Sequence, residues 1–220
     1  LVGSEMCIRD SPDGVFNLVS GHGREIGETL SSHPEVDMVS FTGSTGAGVS
    51  VSQAAAPTVK RVTLELGGKS ANVILDDADI AKAAKMAVYA CFNNSGQECS
   101  SLSRLIIPAT ARDQVVEIIA ATMARYSVGA PMDESIRCGP MVSARQQESV
   151  AGYIASGIKE GATLVAGGEG MPDGLDSGYY VKPTVFADVS PNMTIFREEI
   201  FGPVLSITTY NSEEEAIALA

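Results

Sequence analysis

The sequence predicts an α/β fold organised on a parallel, doubly wound sheet. Short apolar runs of strand length alternate with stretches of helical periodicity, and glycine-bearing turns stand where one gives way to the other. With 45% hydrophobic residues among 220, the chain can bury a real core, as one large domain or two modest ones.

Residues 1–11 show no periodicity and fit nothing that follows, so they read as a terminus outside the fold, non-native to it or disordered. The alternation begins at Pro12. Residues 15–19 (Val-Phe-Asn-Leu-Val) read as a strand, Gly21-His22-Gly23 as a turn, 24–31 as a helix and 36–41 as a second strand. The glycine loop 42–48 follows, then a short helix 49–56 closed by Pro57, then a third strand 59–66. Gly67-Gly68 breaks that strand, and a domain boundary is placed there, separating 12–66 from 67–220.

The second region restarts with a strand at 71–75. Asp76, Asp77 and Asp79 precede a helix, where negative charge caps free amides and opposes the macrodipole. In that helix Ile80, Ala83, Ala84, Ala87, Val88, Cys91 and Phe92 form one apolar face, which stops at Asn93-Asn94-Ser95-Gly96. Cys91 therefore lies on a core face and Cys99 in the loop beyond it. A strand at 103–107, a helix at 110–126, a loop at 129–140 and a helix at 143–160 come next. A strand at 163–166, an exposed glycine loop at 167–178, strands at 180–186 and 204–210, and a helix from Glu213 complete the pattern.

A net charge of −12 argues against nucleic acid and against an anionic membrane surface. No segment reaches the roughly 18 to 20 consecutive apolar residues of a membrane span. No basic region followed by an apolar run marks a signal peptide. The 4 cysteines contain no Cys-x-x-Cys and only 2 histidines accompany them, so neither a metal site nor a disulfide framework is expected. Free thiols point to a reducing compartment, the cytoplasm.

Candidate chemistry gathers at few positions. Cys99 follows Ser95-Gly96-Gln97 in a polar turn whose backbone amides can face a thiolate; the competing reading is a small packing residue, which fits Cys91 well. Glu65 is a carboxylate at the carboxyl end of an apolar strand, where open α/β sheets bind ligands. Its alternative is a rim ion pair with Lys60, Arg61 or Lys69. The loop Gly43-Ser44-Thr45-Gly46-Ala47-Gly48 can bring a helix N-terminus to a phosphate, although it matches neither Gly-x-Gly-x-x-Gly nor the P-loop. Glu199 and Phe201 precede Gly202-Pro203, as ribose-binding residues or as an ordinary solvated turn.

Together, Phe41-Thr42-Gly43-Ser44-Thr45, Leu64-Glu65-Leu66-Gly67-Gly68-Lys69, Gly96-Gln97-Glu98-Cys99 and Glu199-Ile200-Phe201-Gly202-Pro203-Val204, with Gly139-Pro140, resemble the NAD(P)-dependent aldehyde dehydrogenase superfamily over Pro12 to Ala220. The resemblance implies a partial Rossmann-type cofactor domain at 12–66 and an α/β catalytic domain at 67–220, both incomplete. It implies Cys99 as nucleophile, Glu65 as general base, and Gly43, Ser44, Thr45, Gly48, Leu66, Gly67, Glu199 and Phe201 around NAD or NADP. Glu98 and Ser100 would line the aldehyde pocket, no metal would be used, and the full-length protein would be a homo-oligomer. Glu65 favours the hydrolytic branch, which releases a carboxylate, over the branch that acylates coenzyme A; a non-catalytic protein retaining the fold is the remaining alternative. The resemblance also implies an interior fragment without the second oxyanion donor, expected to be inactive by itself.

Overall fold

The computed structural model describes residues 10–220. The chain divides into two compact units, Leu1–Leu66 and Gly67–Ala220. Most of the terminal segment set aside above lies outside the described residues.

In the first unit a helical turn, Gly23–Gly27, continues into α1 (Glu28–Ser32), followed by β1 (Met38–Gly43), α2 (Thr45–Ala55) and β2 (Arg61–Leu66). β1 and β2 pair in parallel, with Thr42 opposite Glu65 and Gly43 opposite Leu66. Parallel neighbours need a crossover, and α2 supplies it. The helix starts where Ser44, in extended conformation, accepts the Ala47 N–H on its hydroxyl at 3.3 Å. It therefore begins at Thr45 rather than at residue 49, and much of the expected glycine loop is the first turn of the helix. Gly48 lets the helix pack closely on Leu66: a Cβ on it would lie 2.7 Å from Leu66 Cδ2, so the leucine would have to shift. Pro57 sits in the tight turn that ends the helix.

Residues 15–19 do not form the expected strand. Val15, Leu18 and Val19 are exposed and join no ladder among the described residues. An apolar run becomes a strand only when a neighbour supplies hydrogen bonds and a surface to bury against.

The second unit holds a five-stranded sheet in the order β3-β4-β7-β6-β5. Its strands are β3 (Ala71–Val73), β4 (Arg104–Pro108), β5 (Thr163–Ala166), β6 (Thr184–Ala187) and β7 (Val204–Tyr210). Four run parallel; β5 is antiparallel to β6. That departure from an all-parallel sheet has a local cause. Residues 167–183 contain no helix, so the chain returns through a loop with Gly167, Gly168, Gly170, Gly174 and Gly178 all at positive φ. β6 also begins at Thr184 instead of residue 180, because Pro183 has no amide to give to a ladder.

Alternation along the strands makes two apolar faces. Leu105, Ile107, Val185, Ala187, Leu205 and Ile207 point to a core shared with α3 (Ile80–Phe92) and α4 (Arg112–Met123). Phe186 and Val204 point the other way, toward α5 (Ala144–Lys159) and α6 (Thr194–Arg197). The sheet is doubly wound, as its apolar runs required. Each such buried Val, Leu, Ile or Phe contributes about 1.5–3 kcal/mol relative to exposure. Side-chain caps fix where the helices start: Asp79 on α3 accepts from Lys82 N at 3.0 Å, and Ser143 on α5 accepts from Gln146 N at 3.2 Å. Ser212 does the same for α7 (Glu213–Leu219). No helix among the described residues is long and apolar enough to cross a membrane.

Candidate active site

The apolar face of α3 ends at Phe92, and the chain then leaves the helix through a left-handed turn. Asn94 (φ 48°), Ser95 (φ 58°) and Gly96 (φ 70°) lie in succession in the left-handed region. For each of the two non-glycine residues this costs about 1–2 kcal/mol. Surrounding bonds hold the turn. Ser95 Oγ donates to Gly139 O at 3.1 Å, and the Cys138 thiol donates to Ser95 Oγ at 3.4 Å. Asn94 Nδ2 donates to Gln97 O at 3.2 Å. Gly96 packs so tightly on the Gly202 carbonyl that no Cβ fits between them.

Gln97 ties this turn to a segment more than forty residues downstream. Its Nε2 donates to Asn94 O (3.4 Å) and Pro140 O (3.3 Å), while its Oε1 accepts from Val142 N at 2.8 Å. Gln97 was legible only as one letter of the Gly96–Cys99 motif; nothing in the sequence reveals its partners.

Cys99 stands just past this clamp, exposed, and its N–H makes no backbone hydrogen bond among the described residues. That leaves one donor free beside the sulfur. Ser100 is exposed next to it. Glu98 is half-buried and accepts a hydrogen bond from Asn93 Nδ2 at 2.8 Å. Cys91, 8 positions earlier, is wholly buried; its Sγ donates to Val204 O at 3.5 Å. Burial pushes its thiol up to about 12, which a nearby Lys69 and Ser101 only partly offset. Burial also raises the Cys138 thiol. Among the described cysteines, Cys99 alone is exposed.

On the loop before β7, Glu198 and Glu199 have different partners. Glu198 accepts a hydrogen bond from Tyr153 OH at 2.9 Å. Glu199 accepts none within its unit, and its carboxylate lies against Gly67, where a Cβ would collide with both oxygens. Phe201 is held at φ 53°, with Gln146 Nε2 donating to the carbonyls of Ile200 (3.2 Å) and Phe201 (2.9 Å). Glu98, Glu199 and Phe201, with Gly68, Gly96 and Gly202, enclose a common cavity of about 10 Å³. The unit thus brings together the turn before Cys99, the Gly67-Gly68 turn and the Glu199 loop.

In the first unit Gly43, Ser44, Thr45, Gly48 and Leu66 lie at the carboxyl ends of β1 and β2 and in the first turn of α2. A cavity of about 760 Å³ opens beside them, between Gly23–Ser31 and Gly46–Ala54. Glu65 is exposed at the end of β2 and forms no ion pair among the described residues; Lys60 Nζ donates instead to His33 O at 2.6 Å. No cluster of metal-ligating side chains occurs among the described residues.

The chain is thus an α/β protein with Cys99 and Glu199 on loops and Glu65 near the end of a strand. It belongs to the aldehyde dehydrogenase family, whose sequence profile matches residues 5–220. A 3-succinoylsemialdehyde-pyridine dehydrogenase of Pseudomonas sp is 53% identical over 209 residues, covering 95% of this chain and 44% of that protein. The crystal structure of an aldehyde dehydrogenase from Bartonella henselae superposes with a TM-score of 0.93 at 50% identity, covering 96% of this chain and 44% of that one. Aldehyde dehydrogenase C of Pseudomonas syringae, crystallised with NAD+ and octanal, gives 0.94 at 48% identity, covering 95% and 43%. The chain spans less than half the length of these relatives.

Proposed function

We propose that these residues form the nucleophile and part of the cofactor site of an oxidoreductase that oxidises an aldehyde to a carboxylate with NAD or NADP. The observation that carries the reading is Cys99: an exposed thiol on a turn whose strained backbone is held by several bonds, eight residues from a buried cysteine that is inert. Backbone strain held in this way clusters at functional sites.

Each unit by itself suits part of a dinucleotide. In the first, Ser44 and the first amides of α2 suit a pyrophosphate and the neighbouring cavity suits a flat base; in the second, the Gly67 surface beneath Glu199 suits a ribose. When bound, the nicotinamide accepts the hydride. Thr45, Gly43, Gly48 and Leu66 would shape the pyrophosphate loop, and Phe201 would pack on the ribose.

The protein steps follow. The Cys99 thiolate attacks the aldehyde carbon, and its own N–H stabilises the developing oxyanion. Loss of hydride restores the carbonyl as a thioester on Cys99. Glu65 takes a proton from water, the hydroxide adds to the thioester, and the thiolate leaves with release of the carboxylic acid. Glu98 and Ser100 line the aldehyde pocket. The free thiols Cys91, Cys99 and Cys138 are consistent with a cytoplasmic protein, and the family resemblance with a homo-oligomer.

Pre-steady-state kinetics on the full native chain test this. Glu65→Gln is expected to give a burst of about one NADH per site followed by slow turnover, because acylation survives and hydrolysis fails. Cys99→Ala is expected to give no burst. A Glu65→Gln enzyme that turns over steadily at the native rate would overturn the assignment.

A further inference from the structure

Lys69 follows the Gly67-Gly68 turn, and its Nζ is buried without a hydrogen-bond partner among the described residues. Burying an unpaired ammonium is among the costliest things a fold can do. The backbone around it is firmly set: Arg104 Nε donates to Lys69 O at 2.8 Å, and Arg104 N donates to Ser70 O at 3.2 Å. Cys91 from α3, Arg104 from β4 and Glu199 from the loop before β7 act electrostatically on the amine. Cys91 is a neutral thiol at physiological pH and Arg104 repels a cation, which leaves Glu199 as the anion among them. Desolvation holds the Lys69 amine down at about 8, and Glu199 opposes that fall.

Glu199 and Lys69 form no direct ion pair. The carboxylate instead lies on Gly67, two residues before the lysine. That spacing has a chemical use. A contact ion pair would consume carboxylate lone pairs. A cation set behind the turn favours the ionised carboxylate and its orientation, yet leaves both oxygens vacant for two hydroxyl donors.

We infer that Lys69 is a positioning residue for the cofactor: its buried amine orients the Glu199 carboxylate over Gly67 to receive the vicinal diol of the nicotinamide ribose. This rests on the ribose role proposed above for Glu199. Lys69 itself touches no cofactor; it acts through Glu199.

Equilibrium binding to the full native chain tests it, with NADH and ADP as probes. ADP lacks the nicotinamide ribose and so reports whether the rest of the cofactor site is intact. Lys69→Met is expected to weaken NADH binding about tenfold, leave ADP binding within about twofold, and raise the melting temperature of the free protein by relieving the orphaned charge. Glu199→Gln should weaken NADH alone, and adding Lys69→Met to it should weaken NADH no further. If Glu199→Gln weakens NADH and Lys69→Met does not, the lysine inference fails while the ribose reading stands. If Glu199→Gln binds NADH normally, the ribose reading fails and the inference with it. Equal loss of NADH and ADP in Lys69→Met, or a further loss on the Glu199→Gln background, also overturns the inference. Lys69→Gln repeats the comparison should the methionine variant not fold.

Discussion

Cys91 and Cys99 are the same residue type, eight positions apart, in opposite surroundings. One closes the apolar face of a helix and is fully buried; the other stands exposed beyond a left-handed turn. The α3 face places Cys91 in the core of the sheet, where desolvation keeps its proton on. Three left-handed residues then turn the chain out of that core. Reactivity is thus set by where the helix is broken, not by the identity of the side chain.

Thiol alkylation tests the contrast most severely. At pH 7 a thiol titrating at about 12 is ionised in about one molecule in 10⁵. Iodoacetamide should therefore label Cys99 in the native protein and leave Cys91 untouched until denaturant is added, a difference of about a thousandfold or more. Peptide mapping by mass spectrometry would show it, and equal slow labelling of both would break the comparison.

The next largest effect concerns the clamp. Gln97→Ala removes both Nε2 donations and the acceptor for Val142 N, so the turn before Cys99 is no longer held in place. On the activity proposed above, kcat of the full native chain should fall about ten- to a hundredfold, with the KM for cofactor nearly unchanged. Gln97→Glu should be as damaging despite its matching shape, because a carboxylate oxygen would face two carbonyls. A native kcat in Gln97→Glu would show that the clamp is dispensable.

The smallest effect is thermodynamic. Lys69 titrates at about 8 in the fold against 10.5 for a free lysine. Between those values the folded chain binds fewer protons than the unfolded one, so this group makes stability rise with pH across 8 to 10.5. Cys91 works the other way: raised from 9.0 to about 12, it contributes stability that is present below 9.0 and lost as pH rises toward 12. Comparing the native protein with Lys69→Met cancels the cysteine contribution. The variant's advantage in urea unfolding should shrink by about 1 kcal/mol between pH 7 and 9. An advantage constant with pH would mean that Lys69 does not titrate in the fold.

The elements of the second unit were legible where two local signals agreed. α3 and α5 carry an apolar stripe together with a capping Asp79 or Ser143, and their ends fell within a residue or two of expectation. β5 and β7 are apolar runs bounded by turn residues. The failures arose where structure depends on a distant partner. Residues 15–19 have a strand's composition and no strand to pair with, and the antiparallel direction of β5 depends on a glycine loop whose course no periodicity encodes. α6 is too short to show a helical period. At the site, motifs drew attention to Cys99, Glu65 and Glu199. The left-handed conformations of Asn94, Ser95 and Phe201 have no signature in side-chain type, and neither does the reach of Gln97 to Val142 or the burial of Lys69 Nζ.

Gly96 meets the Gly202 carbonyl with no side chain interposed. Main chain against main chain leaves no rotamer to absorb a shift, so the turn bearing the sulfur and the loop bearing Glu199 are mechanically one piece. Substitutions at the outward-facing side chains of either loop are therefore tolerated more readily than any at this joint.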